Sequence, residues 1–214
     1  MRANPNAALK LVETLLVQSP LPVRPRIDLR TGLVAAGALD APERLSKLVR
    51  TLRDARYAWR AAGFTAPLSF ALPDELLSAD AEWICDAARE AGCNPRNLTF
   101  ELEERALVRC GPFVAEALRA RGWGVALIAD EDCPMPFGAR ARALYTELVL
   151  EAPNPLDPYL ATDPRELSPL GRRLYAAKEA GLIITARSVK SDEHASLLAL
   201  AGFDRAGGAI AAQP

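Results

Sequence analysis

The sequence predicts an α/β fold built on a mainly parallel sheet, and three observations carry that expectation. Helix endings repeat: Arg60-Ala61-Ala62-Gly63, Arg89-Glu90-Ala91-Gly92, Arg119-Ala120-Arg121-Gly122 and Lys178-Glu179-Ala180-Gly181 each close an amphipathic stretch, and Ala199-Leu200-Ala201-Gly202 does so without the cation. Glycine supplies the left-handed residue past a helix end, and a cation in the last turn complements the helix dipole. The first four of these glycines recur at one or two steps of ~30 residues, the length of a helix plus a strand. Short apolar or alternating segments follow the stops or lie between the helices, so strand and helix alternate along the chain.

Taken in order, helices are expected over 6–17, 42–62, 74–91, 104–121, 137–144, 165–180 and 191–201. Pro73-Asp74 and Ser191 read as helix starts, and Pro112 suits the first turn of a helix within or restarting in 104–121. Strands are expected at Leu68–Leu72, Leu98–Glu103, Gly124–Asp130, Glu147–Glu151, Leu182–Ser188 and Ala206–Ile210. An earlier pair, Arg26–Leu29 and Leu33–Leu39, is joined by Arg30-Thr31-Gly32, a hairpin signal. The proline-rich stretch Asn154–Pro169 reads as an ordered loop rather than a domain boundary.

Composition narrows the function classes. The 214 residues carry 26 Lys+Arg against 27 Asp+Glu, a formal charge of -1, and 50% hydrophobic residues. That balance argues against a nucleic-acid surface, which needs a basic stripe. No apolar run approaches the ~20 residues that span a bilayer, and no signal peptide is read. Cysteines at 85, 93, 110 and 133 offer no zinc spacing and are expected as free buried thiols in a cytoplasmic protein. The single histidine, His194, is expected as a solvated surface residue at a helix start. Phosphate-loop, dinucleotide-fingerprint and nucleophile-elbow motifs are absent.

One resemblance runs through nearly the whole chain, from about residue 22 onward. Pro25-Arg26-Ile27-Asp28-Leu29-Arg30-Thr31-Gly32, followed by Gly37-Ala38-Leu39, is similar to the opening of EAL domains, the cyclic-di-GMP phosphodiesterase family. Trp59-Arg60-Ala61-Ala62-Gly63 and Leu98-Thr99-Phe100-Glu101-Leu102-Glu103-Glu104 follow in the family's order. Gly124-Val125-Ala126-Leu127, Glu147-Leu148-Val149-Leu150-Glu151, Ile183 to Ser191, and the tail from Gly202 to Pro214 complete the match. The resemblance implies a modified TIM-like (β/α) barrel of the EAL type, shortened after the first strands, since 214 residues fall below the ~250 of an ordinary (β/α) barrel. The expected organisation is an N-terminal helix in residues 1–20 packed on a single barrel domain, 21–214.

Active members of that family cleave a phosphodiester with divalent metals held by a ring of carboxylates. Hard oxygen ligands suit such ions, and paired ions stabilise the attacking and leaving oxygens. In this sequence the ring is largely missing. The glutamate of the EAL motif falls on Gly37, the asparagine of the next strand on Ala71, and the paired aspartates on Ile128 and Ala129, with Asp130 and Asp132 just beyond. The lysine falls on Val149, the following aspartate on Glu151, and the last two glutamates on Arg187 and Lys190. Glu101 alone stands at a metal-ligand position, and Arg187 is expected to supply its counter-charge.

The resemblance therefore implies a catalytically inactive EAL-like regulatory protein, with no metal or cofactor, working through protein–protein contact in a bacterial cytoplasm. A non-hydrolysing cyclic-di-GMP receptor is the alternative and an active phosphodiesterase the third reading. Receptor function is disfavoured because the arginine–tryptophan pair that follows the EAL strand in receptors is replaced by Asp40-Ala41-Pro42-Glu43-Arg44. Met135 and Phe137 mark a candidate partner loop, and the fold analogy points to a homodimer. Arg140, Arg142, Arg172 and Arg173 are expected on solvated helix faces.

Overall fold

The computed structural model describes residues 23–40, 45–77, 80–130, 140–153 and 169–208. Eight strands close into one barrel in sequence order. They are β1 (Val23–Asp28), β2 (Val34–Leu39), β3 (Leu68–Ala71), β4 (Leu98–Glu103), β5 (Gly124–Ile128), β6 (Glu147–Glu151), β7 (Ile183–Val189) and β8 (Arg205–Gly208). From β2 to β8 neighbouring strands run parallel, while β1 lies antiparallel to both β2 and β8. This is the expected hairpin opening: Asp28 Oδ1 accepts from the N–H groups of Arg30 and Thr31 and from the Thr31 hydroxyl, which fixes the turn.

The helices are α1 (Leu48–Ala61), α2 (Ala81–Glu90), α3 (Glu104–Cys110), α4 (Phe113–Ala120), α5 (Ala141–Leu144), α6 (Pro169–Glu179) and α7 (Asp192–Leu200). The five helix-stop glycines, at 63, 92, 122, 181 and 202, all have φ between +69° and +88°. One expected helix restarts at Pro112, as its sequence suggests, and another breaks. The one over 104–121 stops at Gly111 and restarts at Phe113, because Pro112 has no N–H to continue the ladder. The one over 74–91 becomes a single 3-10 turn, Asp74–Leu76, and a helix that begins where Asp80 accepts from Glu82 N–H. The fifth strand ends at Ile128 rather than Asp130, and the last spans Arg205–Gly208.

The main apolar core lies between the outer wall of the barrel and the helices. Leu52, Trp59, Phe70, Ile84, Phe100, Leu118, Trp123, Leu148 and Ile184 are all buried there. Each fully buried Leu, Ile or Phe contributes roughly 1.5–3 kcal/mol by leaving water. Trp59 adds direction: its Nε1 donates to the Ala66 carbonyl at 2.8 Å and its ring stacks on Phe64. Inside the barrel, Ala126, Ile128 and Val149 form a second, small cluster. Beside it, among the described residues, the interior buries Arg26, Glu101, Glu147 and Thr185, where an ordinary (β/α) barrel stacks branched apolar side chains.

Three surface expectations are corrected. His194 is half-buried, and its Nε2–H donates to the Pro153 carbonyl at 2.8 Å, tying α7 to the end of β6. Cys85 and Cys93 are buried free thiols, but Cys110 is exposed because it ends α3 beside the Gly111-Pro112 break. Arg173 is buried rather than solvated, for the reason given below, whereas Arg140, Arg142 and Arg172 are exposed. The expected N-terminal helix (1–20), the loop over 154–168, Cys133, Met135 and Phe137 lie outside the described residues. No helix among the described residues is long and apolar enough to cross a membrane.

Candidate functional site at the barrel mouth

Parallel strands aim their C-terminal ends, and the loops that follow, at one end of a barrel, which is where (β/α) barrels place their chemistry. A cavity of about 370 Å³ opens there, lined among others by Arg24, Arg26, Ala71, Glu101, Glu151 and Arg187. The strand registers explain the membership. Ala71 pairs with Glu101, Glu101 with Ala126, and Glu151 with Arg187, and residues in register on neighbouring strands share a face.

Beneath the mouth sits a buried ionic network. Arg26 Nη1 lies 2.5 Å from Glu101 Oε1 and 3.4 Å from Glu147 Oε1, with all three side chains no more than 6% exposed. Arg205 Nη1 reaches the other Glu147 oxygen at 3.1 Å, and the Thr185 hydroxyl donates to Glu147 Oε1 at 2.5 Å. Gly207, paired with Arg26 across β1 and β8, leaves room for the arginine stem: a Cβ there would come within 3.3 Å of Arg26 Cγ. Burial alone would lower the Arg26 pKa, but the charges of Glu101 and Glu147 outweigh it and hold the guanidinium above its ordinary value. Burial pushes the Glu147 carboxyl up even against Arg26, Arg205 and Thr185. Isolated charges could not remain ionised at such depth, so the pairing is obligatory.

The counter-charge of Glu101 is therefore Arg26, not the expected Arg187. Arg187 instead pairs with Glu151 at the rim, where both side chains are about half exposed. The physical reason is register: Arg187 is directly paired with Glu151 on β6, whereas Glu101 lies across the closed barrel within reach of β1. A second correction concerns Gly37. Its Cα–Cβ direction points outward, where an added Cβ would meet Val23 Cγ1 at 2.8 Å and the Trp59 ring at 3.0 Å. The inward places on β2 belong to its neighbours Ala36 and Ala38, of which Ala38 lines the mouth. Ala71 and Ile128 also line the mouth, Val149 lies within the interior apolar cluster, Ala129 packs into the outer core, and Lys190 is exposed.

A second buried pair flanks the mouth. Glu104, at the start of α3, is fully buried and pairs with Arg173 of α6. Arg173 Nη1 also donates to the Asp130 carbonyl at 3.1 Å, and Glu104 Oε2 accepts from Asp130 N–H at 2.9 Å. The Asp130 carboxylate is in turn bound by Arg105. This explains why Asp130 is no vacant metal ligand. Burial pushes the Glu104 carboxyl up, with Arg173 opposing. The phenol of buried Tyr145 is pushed up to about 12, first by burial and then by the charge of Glu104.

Comparison with known proteins places this architecture. No family model and no curated protein matches the sequence. Solved structures do match. The EAL domain of Mycobacterium smegmatis DcpA superposes with a TM-score of 0.65 at 26% identity, covering 90% of this chain and 91% of that one. The chain has the fold of an EAL-type domain. The PaMucR phosphodiesterase, solved as a c-di-GMP complex, superposes with a TM-score of 0.69 at 14% identity, over 91% and 95% of the two chains. The EAL domain of FimX from Pseudomonas aeruginosa, bound to c-di-GMP, gives 0.59 at 15% identity over 97% and 95%.

In this EAL-type fold the residues present do not fit the pair of divalent cations that the family resemblance implies. Such ions need several converging hard oxygens. Ala71, Ile128 and Val149 offer none, Glu101 is held by Arg26, and Glu151 by Arg187. No group of three or more His, Cys, Asp or Glu among the described residues is placed to hold a metal. Sequence reading missed Arg26, Glu147, Arg205, Glu104 and Arg173. For the strand residues among them the one signal was a charge set within an otherwise apolar strand, as at the two ends of Glu147-Leu148-Val149-Leu150-Glu151; Glu104 and Arg173 lie on helices and gave none.

Proposed function

We propose that this EAL-type domain acts in cyclic-di-GMP signalling without hydrolysing the dinucleotide, as a regulatory module that works through protein contact. The observation that carries the reading is the 2.5 Å pair between Arg26 and Glu101. It puts a fixed guanidinium against the carboxylate that stands at the metal-ligand position. Metal-assisted attack on a phosphodiester needs a cation there to activate water and steady the leaving oxygen, and a guanidinium does not lower the pKa of a bound water in that way.

A receptor role has less support than the contact role. Arg24 and Arg187, the arginines near the surface of the mouth, are already paired with Asp40 and Glu151. A dinucleotide phosphate would have to displace those carboxylates. Outside the mouth, Val108 and Phe113 project apolar surface from adjoining helices, 56% and 73% exposed. Such surface suits a protein partner.

Calorimetric titration of the chain with cyclic di-GMP, with and without Mg²⁺, tests the proposal. The expected result is no binding heat in either buffer. Saturable binding without product supports the receptor instead, and Mg²⁺-dependent product supports the enzyme.

A further inference from the structure

We infer that Arg26 is a built-in counter-ion, filling the place between Glu101 and Glu147 that a divalent cation can take, so that removing Arg26 opens a divalent-cation site. This does not rest on the non-catalytic reading, because turnover by the unaltered chain is a separate measurement.

The geometry converges on one atom. Glu101 Oε1 and Glu147 Oε1 approach the same nitrogen, Arg26 Nη1, at 2.5 and 3.4 Å. Whatever occupies that point must be positive, because two carboxylates meet there in a buried interior. Oxygen ligands bind Mg²⁺ at roughly 2.0–2.1 Å and Ca²⁺ at roughly 2.3–2.6 Å, so small movements of these side chains bring both within coordination distance. Mn²⁺ accepts the same hard oxygens.

The surroundings supply the rest. The Thr185 hydroxyl donates to Glu147 Oε1 at 2.5 Å and holds that carboxylate in place. Among the described residues, buried Glu101 Oε1 has no hydrogen-bond partner beyond its ionic contact with Arg26, so losing the guanidinium takes away its one counter-charge there. Arg205 remains on the far oxygen of Glu147 and neutralises one of the two carboxylates, leaving one uncompensated negative charge. Gly207 and the arginine stem currently share the entry space, and truncating the stem frees it for water and an ion.

The native chain should consequently fold and melt without regard to divalent metal. Thermal melts in EDTA and in Mn²⁺, with free Mn²⁺ followed by electron paramagnetic resonance, test this on the full chain. The unaltered protein is expected to melt at one temperature in both buffers and to take up no Mn²⁺. Arg26→Ala is expected to melt ~10 °C lower in EDTA, the shift that a broken buried pair gives in a chain of this size. Mn²⁺ should recover at least half of that loss, with one ion bound per chain.

Adding Glu101→Gln to Arg26→Ala should abolish the recovery. If Arg26→Ala does not fold in EDTA, refolding from denaturant decides: soluble protein in Mn²⁺ alone supports the inference, and none in either buffer overturns it. Arg26→Lys, which keeps a charge on a shorter stem, should remain indifferent to Mn²⁺. Stoichiometric Mn²⁺ uptake by the unaltered chain, lost in Glu101→Gln, overturns the inference. So does an Arg26→Ala protein that folds but neither binds Mn²⁺ nor melts higher in it.

Discussion

Arg26 on β1 and Glu101 on β4 meet at 2.5 Å across the interior of a closed barrel, with 4% and 6% of their side chains exposed. Neighbouring strands cannot make this contact, since β1 pairs with β2 and β8 while β4 pairs with β3 and β5. It depends on closure. A loss of one charge should therefore be felt by the whole sheet. Arg26→Met is expected to cost about 3–5 kcal/mol, because it strands buried carboxylates. Arg26→Met combined with Glu101→Met should cost less than Arg26→Met alone. Urea denaturation of both variants measures the difference.

The pair of Glu104 with Arg173 should obey the same rule, in contrast to a surface pair. Glu104 is wholly buried, whereas Arg50 and Asp54, one helical turn apart, are largely exposed. Arg173→Ala is expected to destabilise by about 3–5 kcal/mol and Arg50→Ala by less than about 1 kcal/mol. Denaturation midpoints at constant slope check the two together.

Gly37 separates an outward position from the inward ones beside it. Gly37→Ala is expected to destabilise by roughly 1–3 kcal/mol, because the new methyl meets Val23 and Trp59 in a filled layer. Ala38→Glu, which points into the mouth near Arg24 and Arg26, should be tolerated better. Thermal melts of the two variants rank them.

Tyr145 provides a pH signature. Burial first, and then the charge of Glu104, push its phenol up from the ordinary 10.0 to about 12 in the folded chain. Stability should be unaffected well below pH 10 and should fall as pH rises from about 10 toward 12, since the unfolded chain releases a proton there that the folded chain keeps. Ultraviolet titration should show a late-ionising tyrosine that disappears in Tyr145→Phe.

Much of the fold was legible in the sequence because its signals are local. The glycine stops, the Arg30-Thr31-Gly32 turn and the restart at Pro112 each report on a few consecutive residues. Glu101 was legible at the mouth for the same reason, through its strand motif. Its partner was not. Arg26 sits in an ordinary strand opening, and only closure of the barrel brings β1 within reach of β4. The orientation of Gly37 was equally hidden, because a shift of one residue reverses inside and outside, and alignment to a motif does not fix that register. Arg173 read as a solvated helix residue because nothing in its neighbourhood announces Glu104, which α3 presents from far earlier in the chain.

The central claim is that a guanidinium, not a metal, serves the carboxylate at the mouth. A phosphodiesterase assay of the unaltered chain with cyclic di-GMP and Mg²⁺ or Mn²⁺ tests it most directly. The expected result is no linear dinucleotide above a protein-free control. Metal-dependent product that is lost in Glu101→Gln would contradict it.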